Sequence, residues 1–232
     1  MSGPVSGPVS GPVSGPVIGT AARAGAAAGI AGPAAFTAAW IVGSLRQTGY
    51  PAAEIQISGL AAPDARDPWI MVAGFVVLGG CTVAFGAALH DVLGGPRPLD
   101  LLDRWTSWLI QGAGLLTIAA GLLRRDHMLL HPGSVSWHNH AHDVISAVIY
   151  VDLVVVQVLL ARRFGRDPAW TRWRPWLLAS GAATGAVLLA FSSDTSANWA
   201  GVLQRIAVTI PLAAIAAIAT RRLTRPAGPG AR

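Results

Sequence analysis

The chain contains no lysine at all. Its seventeen basic residues are all arginine, and against eleven acids they leave a formal charge of +6. In a chain this rich in alanine and glycine, that absence reflects a biased genome more than a selected chemistry. Only 12% of the 232 residues are charged. The arginines flank apolar runs and do not gather on one basic face, which argues against a nucleic-acid partner and for a membrane topology. The single cysteine, Cys81, lies inside an apolar run, so neither a disulfide framework nor a thiolate metal site can be built. No Gly-rich phosphate loop and no G-x-S-x-G nucleophile elbow occurs.

What is present is apolar. Hydrophobic residues make up 53% of the chain and the mean hydropathy is +0.51. Six segments reach the roughly twenty residues needed to span a bilayer: 26–45, 69–90, 105–123, 140–161, 175–192 and 199–220. Trp40, Trp69, Trp105, Trp137, Trp176 and Trp199 mark their ends, as an interfacial belt would. The reading is an all-α polytopic bundle of six transmembrane helices over residues 23–222. Pro33 and Pro211 fall inside the first and sixth spans. Four copies of Ser-Gly-Pro-Val fill positions 2–17. Proline at every fourth position forbids a regular helix, so residues 1–22 are expected to form a disordered tail with no signal-peptide pattern. Residues 223–232 are expected to be a flexible cytoplasmic tail.

Arginine placement sets the orientation. Twelve arginines fall before span one, between spans two and three, between four and five, and after six; four fall in the first and third loops. The excess marks the cytoplasmic side, which puts both termini inside and loops one, three and five outside. The expected location is the plasma (inner) membrane of a bacterium.

Nearly every polar residue of interest then lies on the outer face. Five of the six histidines fall within DHMLLHPGSVSWHNHAHD, residues 126–143. Trp137 is expected to open the fourth helix with Ser136 or Ser134 as its cap. On that helix His138 and His142 stand one turn apart, a spacing that can chelate one zinc. A catalytic zinc needs a third ligand, which Asp126, His131 or Asp194 can supply. A hydrogen-bond network and a plainly solvated interface are the competing readings of the same histidines. Arg205 and Asp152 are charges within spans, so each needs a partner or a cavity. Ser58, in the first loop, has no sequence-adjacent base.

These residues carry a resemblance. TGY…EIQISGLAAPDARDPW, Asp126 after span three, WHNHAHD and GVLQRIAV resemble, in order and spacing, the bacterial membrane family called domain of unknown function 998. The likeness covers roughly residues 24–220 and places His138, His142, Asp143, Gly201, Gln204 and Arg205 on its motifs. It implies a six-helix bundle with extracytoplasmic polar residues and brings no established activity. A looser likeness is to membrane hydrolases of the ceramidase and adiponectin-receptor type, which join a serine, an aspartate and three histidines around zinc. Ser58, Asp126, His138 and His142 would fit that inventory; a metal-dependent hydrolase here would use Asp126, Ser58 and Arg205 as catalytic residues and His138, His142 and Asp126 as metal ligands. Two functions compete: a metal-dependent hydrolase of a lipid or lipid-linked substrate, and a non-enzymatic lipid-binding, transport-accessory or envelope-assembly protein. A cyclase or isomerase using Asp126 and Asp194 is a third.

Overall fold

A segment in hydrocarbon must satisfy its own backbone amides, so apolar runs of spanning length fold as helices. The computed structural model describes residues 18–94, 100–129, 135–193 and 198–224. Its long helices are α1 (Thr20–Arg46), α2 (Trp69–Ala87), α4 (Leu101–Leu122), α5 (Trp137–Phe164), α6 (Arg174–Phe191) and α7 (Ala200–Thr224). A short helix, α3 (Leu89–Leu93), follows α2, and 3-10 turns occupy Ile57–Ala61 and Thr171–Trp173. Each expected span corresponds to one long helix. The boundaries move where local geometry intervenes: α1 already begins at Thr20, inside the segment read as tail, and α2 stops at Ala88, whose ψ of 5° turns the chain before α3. Pro33 and Pro211 are accommodated inside α1 and α7. The Ser-Gly-Pro-Val repeats and residues 225–232 lie outside the described residues.

Five helical segments are long and apolar enough to cross a membrane, the make-up of a multi-pass membrane protein; α4 is not among them. Its polar side chains explain this, and each is satisfied locally. Thr106 and Thr117 donate to the carbonyls one turn back, Ser107 Oγ donates to Gly86 O of α2, and Gln111 Nε2 donates to Ser107. These bonds remove the penalty for bare polar groups in an apolar bundle.

The long helices pack in chain order, and α7 returns to α1, so the six close into a ring. Helices α2 and α4 meet most intimately. A Cβ on Gly79 would lie 2.5 Å from Gly114 O, and one on Gly114 would lie 2.6 Å from Gly79 O. Only hydrogen fits at either position, as at other close helix crossings in membranes.

The two ends of the ring differ. At one end Arg163 pairs with Asp103 at 2.9 Å and with Asp167 at 3.3 Å. There Trp170 stacks on Phe164, donates to Leu93 O, and lies under the Arg221 guanidinium. At the other end gather the loop 47–68, residues 123–136 and the first turns of α5 and α7. The base of loop 47–68 is closed by Gln47, which bonds both Arg66 N and Arg66 O, and by the Arg46–Asp67 ion pair at 2.6 Å. Trp69, Trp137 and Trp199 are exposed around this end, and Trp105, Trp108 and Trp176 around the opposite one. Two aromatic girdles at helix starts fit two membrane interfaces.

Candidate functional site

The loop 47–68 is not a surface loop. Ile57, Ser58, Leu60, Ala61 and Ala62 are all buried, and the segment plugs the end of the ring. A buried irregular segment must pair its backbone groups elsewhere. The first two turns of α7 supply the partners. Gln204 Oε1 accepts from Ile57 N at 2.5 Å, while its Nε2 donates to the Tyr150 hydroxyl at 2.7 Å. Arg205 Nη1 donates to Ala52 O at 2.8 Å and Ile55 O at 2.9 Å, and Nη2 donates to the Tyr50 hydroxyl at 2.7 Å. Its guanidinium also lies over the Trp40 and Tyr50 rings. Gly201 makes this approach possible, since a Cβ there would stand 2.4 Å from both Ala52 O and Ile55 O.

Beside the plug, Ser136 caps α5 by accepting from Asn139 N. The Ser136 hydroxyl donates to Asp126 Oδ1 at 2.6 Å and its amide donates to Asp126 Oδ2 at 2.7 Å. With its one proton committed, Ser136 Oγ accepts from His138 Nδ1, 2.7 Å away. The Ser136 hydroxyl above all, then its amide, holds the Asp126 carboxyl below the usual carboxylate range; His138 adds to this. The linkage is therefore in place above the ordinary carboxylate pKa and weakens as pH falls through the lowered one. Asn139 ties the pieces together, its Oδ1 accepting from Asp126 N and its Nδ2 donating to Asp143 Oδ2.

His142 is arranged differently. It is 2% exposed, its Nδ1 donates to Ala120 O of α4 at 2.8 Å, and its ring meets Phe75 edge-on. In the neutral ring Nε2 is then the acceptor nitrogen.

Between α5, α6 and the plug opens a cavity of about 670 Å³. Gln56, Ser58, Arg125, His142 and Asp143 line its plugged end. Below them it is walled by Val151, Val154 and Val155 of α5 and by Gly185, Leu188 and Leu189 of α6. Val151 and Leu189 are exposed on the outside of the ring, so the cavity is a groove that opens sideways. Ser58, Ser146, Tyr150 and Gln204 also line a smaller apolar cavity of about 80 Å³ inside the ring. Arg125 is 7% exposed, and its Nη1 donates to Gln56 Oε1 at 2.7 Å.

Of the residues singled out in the sequence, Ser58 and His142 line the groove. Asp126 and His138 meet each other outside it, at the α5 cap, and the His138 side chain is 45% exposed. Arg205 is held by loop carbonyls and pairs with no carboxylate among the described residues. The structure thus joins two of the three expected zinc ligands and turns the third toward α4. Among the described residues no three His, Cys, Asp or Glu side chains come together as a metal site. His131 and Asp194 lie outside them. Sequence reasoning missed Gln56 and Tyr150 as site residues and took Arg125 only as a topology charge. The one available signal was a pair of adjacent arginines ending an apolar run.

No curated protein and no solved structure matches the chain. Residues 30–221 match the family described as Protein of unknown function (DUF998). This match takes in the plug, the groove and most or all of each long helix, and the chain belongs to that family.

Proposed function

We propose that the protein binds an amphiphilic lipid in the groove between α5 and α6. The observation that carries this is the groove's polarity: amide, hydroxyl, imidazole, guanidinium and carboxylate groups at one end, aliphatic side chains along the rest, and an open flank. From Asp143 to Val155 the groove follows α5 for about 18 Å at 1.5 Å per residue. That is close to the ~15 Å depth of one leaflet's hydrocarbon. A headgroup would sit under the plug and an acyl chain would lie along the valines. This favours the non-enzymatic reading over metal-dependent hydrolysis, because His138 and Asp126 stand at the cap while His142 faces the groove.

Gly185 gives a direct test. A Cβ there meets nothing within 4 Å, so Gly185→Phe introduces bulk at the groove wall without a backbone clash. It also replaces glycine inside a helix, which favours the fold slightly. The wild-type protein in mild detergent is expected to carry about one lipid per chain by native mass spectrometry, and Gly185→Phe to lose most of it at an unchanged melting temperature. Equal lipid on both proteins would remove the reading.

We further propose that the protein sits in a bacterial plasma membrane with both termini cytoplasmic, which puts the plugged end outside. The arginine distribution supports this. On a Cys81→Ser background, Val135→Cys is expected to react with an impermeant thiol reagent in intact cells and Arg166→Cys only after lysis. The opposite pattern would invert the topology.

A further inference from the structure

We propose that the groove selects a lipid with an anionic headgroup, and that Arg125 is the group that holds it. The inference rests on the lipid-groove reading and adds the sign and place of the headgroup contact.

Arg125 is a buried cation that lines the cavity and makes no ion pair among the described residues. Its only hydrogen-bond partner among the described residues is the neutral Gln56 amide, through Nη1. Its Nε is buried and has no hydrogen-bond partner among the described residues. The neighbouring acids are engaged elsewhere: Asp126 by Ser136, Asp143 by Asn139, and Asp64 by Met128 N and His127. A guanidinium taken out of water with one neutral partner is strongly unfavourable unless an anion meets it. Of the two other buried arginines, Arg163 has two carboxylates, and Arg221 donates to Ala169 O and lies over the Trp170 and Trp173 rings at the opposite end of the ring. Arg205 has four hydrogen bonds to backbone carbonyls and a hydroxyl. Of these arginines, Arg125 is the one that lines the groove.

A guanidinium offers a planar fork of N–H donors that matches the paired oxygens of a phosphodiester or a carboxylate. Gln56 fixes one side of that fork through Nη1. His142, with Nδ1 committed to Ala120, lines the same end. The ligand is therefore an anionic amphiphile, either a phosphate-headed lipid or a free fatty acid. The zwitterion of a choline lipid carries the same phosphate but brings no net negative charge to meet the guanidinium.

The test uses the full-length protein, delipidated and returned to nanodiscs. Each disc contains phosphatidylcholine with a small fraction of phosphatidylglycerol or of oleate, and bound lipid is counted by native mass spectrometry. The wild-type protein is expected to retain the anionic species at least tenfold over phosphatidylcholine; preference for phosphatidylglycerol identifies a phosphate headgroup and preference for oleate a carboxylate. Arg125→Gln is expected to reduce the anionic preference to less than threefold. Arg124→Gln, which removes the same charge one residue away, is expected to keep it. Arg125→Lys keeps the charge without the fork and is expected to fall between the two, which covers the case in which the glutamine variant does not fold. A wild-type protein with no anionic preference, or an Arg125→Gln protein that keeps the full preference, overturns the proposal. If Gly185→Phe still excludes both lipids in that case, the groove reading survives. If wild-type protein binds neither lipid, both readings fall.

Discussion

Gly201→Ala is expected to release the plug from α7. The added methyl carbon would stand 2.4 Å from two backbone carbonyl oxygens, Ala52 O and Ile55 O, and 2.8 Å from Arg205 Nη1. Carbonyls of a loop backbone tied at both ends cannot swing aside as a flexible side chain would. The loop must therefore lift, and with it go the Arg205 bonds to both carbonyls and the Gln204 bond to Ile57 N. Overpacking together with unpaired buried polar groups is worth about 3 kcal/mol or more. For a chain of this length that lowers the melting temperature by about 6–12 °C. Arg205→Ala removes the same bonds from the other side, so the double variant should be little worse than either single one. Limited proteolysis should show loop 47–68 cut in both variants and resistant in wild type. A Gly201→Ala protein that melts within about 2 °C of wild type, with an uncut loop, would contradict the contact; the smallest fall expected here is about 6 °C by the same scaling.

The second large effect is expected at the crossing of α2 and α4. Gly79→Ala and Gly114→Ala each place a methyl carbon 2.5–2.6 Å from the other glycine's carbonyl oxygen. Either change forces the helices apart at one point, at a cost of about 2–3 kcal/mol. Once apart they can admit the second methyl, so the double variant should cost far less than the sum, and the double-mutant cycle should show a coupling of about 1–2 kcal/mol. Independent, additive effects would mean that the two glycines do not face each other. The displacement also reaches the site, because α4 carries Ala120, whose carbonyl anchors His142.

The helices were legible because their signals are local. Apolar length, tryptophan at the starts and arginine at the ends survive whatever packs around them, and the cap of α5 could be narrowed to Ser136 or Ser134, of which Ser136 is the one observed. The plug was not legible. ISGLAA reads as an ordinary connector, and its burial depends on Gln204 and Arg205, about 150 residues later. Arg205 was rightly read as needing partners, but those partners are backbone carbonyls, which any sequence has and none advertises. His138 and His142 do share a helix face, as their spacing requires. The cap draws the first ring toward Ser136, and the α4 carbonyl draws the second inward. Spacing fixes where two Cβ atoms stand and leaves the direction of each ring to its neighbours. Arg125 was hidden by company: beside Arg124 it counts as topology, and only the fold shows that one of the pair is buried.

The plug also orders events during synthesis. Loop 47–68 leaves the ribosome among the first parts of the bundle, whereas Gly201, Gln204 and Arg205 belong to its last helix. Until α7 inserts, the carbonyls of Ala52 and Ile55 can only be hydrated, and the five-helix intermediate has an open, wet end where the finished protein has a roof. In that intermediate α5 and α6 already supply the walls of the groove, but Gln204 and a fixed plug are missing. A chain interrupted before its final span would thus be a membrane protein with most of its hydrophobic surface and an unroofed groove.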